Sequence, residues 1–407
     1  MNFKIKLVAT LLITLSSFSN AQIRQGNTIA IADSLYSNVL NESRNIFVKL
    51  PRDYSENSNN KYPVVYILDG ELLLSTLDLV HSYYNGGFFP EMVLVGISNA
   101  NNRTRNLTTS VVESFNQENG KANNFIKFIE TELIPYVDKK YPATNYRTLI
   151  GHSYGGLFTI NTLINHTELF DNYLAIDPSL DWDNQKLLKQ AKNVLATKNF
   201  DGKTVFISLS GQLHMANPEV TIENVMEDTS NFTIFPRTNI AFSKLTKKNA
   251  NSGLTSNWKY YPNDLHGTVP LPSIIDGLIT MFKWYQWENT SDFNNPETSI
   301  DKIREFVKYR ETKLKSHFGY LVPPYGEDLF NMLGYMNIDF DQLDKSLMYF
   351  KFATYYYPNS ANAYDSLADY YAAKKEYANA LKYVTKAYDL SGKDYHKKRI
   401  EEYKSKL

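Results

Sequence analysis

The chain has 407 residues, 43% of them apolar and 14% aromatic, enough to fill more than one packed core and too apolar for a disordered chain. Its 43 basic and 43 acidic side chains cancel, so the chain as a whole offers no field that would select nucleic acid or an anionic membrane. It has no cysteine, which excludes disulfides and a lipid-modified N-terminal cysteine and leaves burial to hold the fold together.

At the N-terminus, MNFKIKLVATLLITLSSFSNAQ sets Lys4 and Lys6 before an apolar run from Leu7 to Leu15, then ends on small polar residues. This order predicts a secretory signal over residues 1–21, cleaved after Ala21; the run is shorter than the about 20 residues that span a bilayer. No later segment is apolar enough to cross a membrane, so the expected mature chain is periplasmic or secreted, with no integral membrane segment.

Next come β-branched runs closed by turn residues. SRNIFVKLP (43–51), KYPVVYILDG (61–70), EMVLVGIS (91–98) and YRTLIGHS (146–153) each read as a strand. Between the last two, Phe125, Phe128, Ile129, Leu133 and Val137 recur at helical spacing. KTVFISLSG (203–211) and WKYYPN (258–263) predict two more strands, and LPSIIDGLITMFKWYQWE a closing helix. Strands alternating with helices imply a mostly parallel sheet flanked by helices, an α/β domain over residues 22–290.

The polar NTSDFNNPETS marks a linker at about 291–300, and beyond it residues 301–407 are helical by pattern. An internal period of 34 aligns Leu333 with Leu367, Gly334 with Ala368, Ser346 with Ala380, Phe350 with Val384 and Ala353 with Ala387. Small residues where two helices approach closely resemble a pair of tetratricopeptide repeats at about 327–360 and 361–394. Two repeats are few for an independent solenoid, so this all-α unit is expected to pack on the α/β domain or on segment 300–326. Such a tail offers a surface for a protein partner.

Gly151-His152-Ser153-Tyr154-Gly155 matches G-x-S-x-G between an apolar strand and a helix, the context in which a sharp turn lifts one hydroxyl above a sheet. A residue larger than glycine at 151 or 155 is expected to press its Cβ into neighbouring backbone. A serine needs a base to take its proton. Of seven histidines, His152 adjoins the serine, His81 precedes it, His166 lies on the helix after it, and His317 and His396 fall in the tail. His214 follows a strand too closely, which leaves His266, between the last strand and the last helix. The sequence shows no H-E-x-x-H, no EF-hand loop and no phosphate-cradling glycine loop, so neither metal nor cofactor is expected.

VLNESRNIFVKLP, KYPVVYILDG, VLVGISNANNRTRNLT, the segment from FIKFIETELIPYV through GHSYGGLF, and HGTVPLPSIIDGL together resemble the putative-esterase group of α/β hydrolases over about 30–290. That group includes siderophore trilactone esterases, S-formylglutathione hydrolases, carbohydrate acetyl and feruloyl esterases, and mycolyltransferases of the antigen 85 type. The resemblance implies an α/β-hydrolase fold. It implies oxyanion donors at the backbone N–H of Glu71 and of Tyr154, and Arg103 and Arg105 beside the substrate. It also implies an orienting acid soon after KTVFISLSG. There the first carboxylate is Glu219, with Glu223 and Asp264 as alternatives and a Ser-His dyad as a further one. The expected function is serine-dependent hydrolysis of a small-molecule or glycan ester, siderophore trilactones first. Acetylated or feruloylated glycans, acyl transfer, or a non-catalytic role built on the helical tail are the alternatives.

Overall fold

The computed structural model describes residues 30–407 except 53, 55–59, 289 and 294. The signal expected over residues 1–21 lies outside the described residues. Eight strands form one sheet: β1 (Ile31–Ser37), β2 (Glu42–Lys49), β3 (Tyr62–Leu68), β4 (Val93–Ile97), β5 (Ala143–His152), β6 (Asn172–Ile176), β7 (Thr204–Ser210) and β8 (Thr255–Tyr261). Their order is β1-β2-β4-β3-β5-β6-β7-β8. From β4 to β8 all neighbours are parallel, while β1 and β2 form an antiparallel hairpin on the β4 edge. The central strands are apolar throughout because both faces are covered: β3, YPVVYIL, is buried at every position.

On β3, Val64, Tyr66 and Leu68 enter one core, and Val65 and Ile67 enter the core on the other face. The second of these cores is closed by α1 (Gly70–Tyr84) and α8 (Pro270–Met281). The first is closed by α3 (Ala122–Phe128), α4 (Ile134–Lys140), α5 (Tyr154–Asn165) and α6 (Trp182–Thr197), and Phe242 of α7 (Ile234–Lys248) joins it. A π-helical turn at Ile129–Leu133 links α3 to α4, and α2 (Arg103–Leu107) lies in the loop after β4. Helices α1 and α5 leave neighbouring strands toward opposite faces. The loops after β3 and β5 therefore part, and a crevice opens at the carboxyl ends of these strands, where ligands bind in open α/β sheets.

Two strands were not anticipated from sequence. One is the edge strand β1; the other is β6, whose five residues NYLAI follow α5. The second omission matters for the site.

Beyond α9 (Thr290–Phe293) the chain is helical: α10 (Ile300–Phe318), α11 (Glu327–Asp339), α12 (Leu343–Tyr356), α13 (Ala361–Ala373), α14 (Tyr377–Ser391) and α15 (Asp394–Lys404). Helix α10 belongs to two cores. Its Ile303 and Val307 pack with the tail, and its Leu314 and Phe318 pack with the α/β domain. The seam also holds a Trp284–His317 ring stack at 4.0 Å and a Tyr320–Thr144 hydrogen bond of 2.9 Å. The 34-residue period appears in the backbone itself. Asp341 and Lys375 both take left-handed φ between paired helices, and their N–H groups bond the carbonyls of Ile338 and Ala372, again 34 apart. All five aligned pairs of small or apolar residues are buried. No helix among the described residues is long and apolar enough to cross a membrane.

Candidate functional site

Strand β5 ends at His152, and the chain turns into α5 through Ser153, whose φ of 59° and ψ of −115° lie where a non-glycine residue is strained by about 1–3 kcal/mol. A Cβ on Gly151 would sit 2.2 Å from the Gly155 carbonyl oxygen, so glycine is required there, as expected. At Gly155 the expectation fails, because the nearest atom a Cβ meets is Leu68 Cδ1 at 3.5 Å, an ordinary contact. The crowded partner is Gly156, where a Cβ would lie 2.8 Å from Pro178 Cα. Ser153 Oγ is 3.3 Å from Ser179 Oγ, and Ser179 N–H donates to the Ser153 carbonyl, so the loop after β6 braces the turn.

His266 stands in the loop between β8 and α8. Its Nδ1 lies 2.7 Å from Oδ2 of Asp177, a carboxylate with 0% of its side chain exposed, while the imidazole is 37% exposed. With Nδ1–H given to a carboxylate, Nε2 keeps a free lone pair. The other oxygen of Asp177, Oδ1, accepts the backbone N–H of Ser210 at 3.1 Å. The His266 ring lies 4.6 Å from that of His152, and Phe235 meets it edge-on at 5.5 Å. Burial, reinforced by neighbouring His266, pushes the His152 imidazole down to about 4, so it stays neutral beside His266.

The carboxylate on His266 is thus neither Glu219, Glu223 nor Asp264. Glu219 and Glu223 lie exposed on the excursion after β7, and the Glu219 backbone is taken up by Asn217 and Asn224. Asp264 accepts the Thr268 hydroxyl at 2.9 Å and shapes the loop that carries His266. Asp177 comes one strand earlier, directly after β6. The strand FISLSG supplies no acid; it supplies the Ser210 N–H that holds one. The signal in the sequence was NYLAID, a short apolar run closed by a carboxylate.

The two expected donors both lie in the first turn of a helix, Glu71 as the second residue of α1 and Tyr154 as the first of α5. In α1 the first N–H groups to close on a backbone carbonyl are those of Leu72 and Leu73, both on Asp69, which leaves the Glu71 N–H open. In α5 the first is Leu157 on Ser153, which leaves the Tyr154 N–H open. Arg103 and Arg105 are both engaged inside the protein. Arg103 pairs with Asp69, Nη2 to Oδ2 at 2.8 Å, and Arg105 pairs with Glu42 at 2.6 Å.

Residues 37–216 match a family described as Putative esterase. The ferri-bacillibactin esterase BesA of Bacillus subtilis is 26% identical over 210 residues, which are 46% of this chain and 72% of that one. The siderophore triacetylfusarinine C esterase of Aspergillus fumigatus is 31% identical over 150 residues, and the chain spans half the length of that relative. The crystal structure of an IroE-like serine hydrolase from Shewanella oneidensis superposes with a TM-score of 0.65 at 25% identity, covering 80% of this chain and 99% of that one.

Over residues 37–216 the α/β domain is similar to the putative-esterase family.

It is thereby a carboxylic ester hydrolase domain on an α/β-hydrolase fold. Beside Ser153 this esterase domain carries an aromatic cluster: Trp182 meets Tyr154 at 5.3 Å and Phe115 at 5.4 Å, both edge-on. The aromatics at 83–89 lie apart from this cluster, in a groove or in the core. Phe89 is buried against Phe282, and Tyr83, Tyr84 and Phe88 line a groove of about 390 Å³ with α8, whose lining includes none of Ser153, His266 or Asp177.

Proposed function

We propose that the chain is an exported serine esterase that opens siderophore-type trilactone esters. The 2.7 Å contact of His266 with buried Asp177 carries this reading, because it fixes an imidazole tautomer ready to accept a proton one loop away from Ser153. In the first half-reaction Ser153 Oγ attacks the ester carbonyl carbon, and its proton passes to His266 Nε2. The Glu71 and Tyr154 N–H groups take the charge on the carbonyl oxygen, one such donor being worth about 2.7–4 kcal/mol in the transition state. Collapse expels the alkoxide, which leaves with the proton from His266. Water, deprotonated by the same nitrogen, then frees the acyl group and restores Ser153.

Asp177, bonded to Nδ1, orients His266 and stabilises the imidazolium that forms on it. Neutral His152 adds no opposing charge behind it. Siderophore-type substrates are supported by the names of the relatives, two of which are siderophore esterases. The aromatic rings Tyr154, Trp182 and Phe115 add apolar walls that suit a bulky acyl group. Export rests on the lysines and apolar run of the first 21 residues.

The test has two stages. A fluorophosphonate probe should label the wild-type protein and not Ser153→Ala; an unlabelled wild type would sink the esterase reading. A panel of trilactone, acetyl and feruloyl esters should then show release of the trilactone's hydroxy-acid units at the highest kcat/KM. Preferential release of acetate or ferulate would assign a glycan ester instead.

A further inference from the structure

We propose that Arg103 and Asp69 form a tether that sets the distance between the two helix N-termini facing the oxyanion, making Arg103 a positioning residue and not a substrate ligand. The inference rests on the esterase reading above and extends it to a residue pair whose role is geometric.

The bonding pattern singles out this pair. Arg103 Nε lies 3.0 Å from both oxygens of Asp69 and Nη2 lies 2.8 Å from Oδ2, a two-pronged grip on a carboxylate that is 3% exposed. The same Nη2 donates to the His152 carbonyl at 3.1 Å. One guanidinium therefore holds the residue two before Glu71 and the residue two before Tyr154. Its plane also lies over the Tyr154 ring at 5.6 Å.

Asp69 is an effective handle on α1. It takes left-handed φ at 53°, and its carbonyl receives the Leu72 and Leu73 N–H groups, so a shift of Asp69 moves the first turn of α1. Its Oδ2 lies 3.8 Å from where a Cβ on Gly155 would be, so the two turns already touch. Arg103 is anchored in turn, because α2 is tied down by the Arg105–Glu42 pair. Burial pushes the Asp69 carboxyl up, against the pull of Arg103, so removal of the guanidinium favours a protonated and loosened corner. With Nε and Nη2 spent on an internal carboxylate and a carbonyl, only Nη1 is left for a substrate anion. Donors must sit about 2.7–3.1 Å from the oxyanion, so a small change in their spacing is felt in the transition state before it is felt in the ground state.

The test compares Arg103→Ala, Arg103→Lys and Asp69→Asn with wild type on p-nitrophenyl acetate, a small neutral ester, and on an anionic aryl ester. An arylboronic acid serves as the tetrahedral mimic. Loss of one oxyanion donor costs about 10²–10³ in kcat, so a misplaced one is expected to cost about 10- to 100-fold. For Arg103→Ala the tether predicts that fall in kcat on both esters with KM within about threefold, and a boronate Ki that rises in step. Arg103→Lys should fall between wild type and alanine, since an ammonium can reach Asp69 but cannot grip it with two prongs. Asp69→Asn should repeat the alanine pattern, which keeps the idea testable if Arg103→Ala does not fold. A rise in KM for the anionic ester alone, with kcat unchanged, would make Arg103 a substrate ligand and overturn the tether. Unchanged kinetics in a protein that fluorophosphonate still labels would overturn the tether while leaving the esterase reading intact. Failure of the wild type to label would remove both.

Discussion

Two of the regions where this molecule places non-glycine residues at positive φ use them differently. At the carboxyl edge of the sheet Asp69, Ser153 and Asp177 each close a different strand in this conformation, and each side chain has a different partner. In the helical tail Asp341 and Lys375 take it at the same phase of a 34-residue repeat, with hydrogen bonds that copy each other. In the first case an unfavourable conformation aims one side chain at one place; in the second it makes a turn that the chain uses twice. The site should thus lose function atom by atom at full stability, and the tail should lose stability with function intact.

The sharpest break falls on Ser153. Ser153→Ala is expected to lower kcat by about 10⁴- to 10⁶-fold, since the nucleophilic oxygen is gone while donors and binding remain. Its melting temperature should stay within a few degrees of wild type. A residual rate above 10% of wild type would mean that another group attacks the ester. Asp177→Asn comes next, at about 10³- to 10⁴-fold in kcat, because an amide facing His266 Nδ1 favours the wrong tautomer. Glu219→Gln, on its exposed turn, should stay within about twofold. If the two variants exchanged effects, the acid would come from the excursion after β7.

That contrast also shows where the sequence was legible. Ser153 and His266 could be singled out because each sits in a local pattern: strand, glycine, serine and helix for one, the last strand and the last helix for the other. Their setting in the fold is as expected, as is the apolar repeat of the tail. Asp177 was missed because β6 is only five residues long and went unread between α5 and α6, so the expectation moved to the next strand. What makes Asp177 the partner of His266 is the Ser210 N–H across the sheet, and strand pairing between 177 and 210 is not written in any local stretch. Arg103 was expected beside the substrate, and which carboxylate it meets depends on a chain corner 34 residues earlier. Local chemistry was readable, and long-range pairing was not.

Acid offers a way to separate the regions without mutation. Burial pushes His81 and His152 each down to about 4 from an ordinary 6.5. A histidine with a lowered folded pKa binds fewer protons folded than unfolded, so its contribution is present above about 6.5 and is lost as pH falls toward 4. At about 1.36 kcal/mol per pKa unit, the loss is up to about 3 kcal/mol for His81 and less for the more exposed His152. Both residues are in the esterase domain. Hydrogen exchange at pH 4.5 against pH 7 should show protection falling in β3 to β5 before it falls in α13 and α14. His81→Gln should reduce the pH slope even though it lowers stability at pH 7. Equal loss of protection in both regions would show that the tail has no stability of its own.

The smallest effect belongs to the tail, and it tests whether the repeat is a packing rule. In the first helix pair Gly334 lies against Phe350, and a Cβ there would come within 2.4 Å of the ring; in the second pair the same phases hold Ala368 and Val384. One unit uses no side chain and a large ring, the other a methyl and a small branched chain, so the volume is shared differently across one interface. Gly334→Ala alone should overpack it and cost about 1–3 kcal/mol, less the gain from replacing a helical glycine. Phe350→Val alone should leave a cavity at a fully buried position and lose the edge-on contact with Tyr335. The double variant copies the second unit into the first, and a double-mutant cycle should return a favourable coupling of about 0.5–3 kcal/mol. Esterase kcat should stay at wild type in all three proteins. Additive losses would mean that the period of 34 fixes where the helices lie but not how their side chains share the space between them.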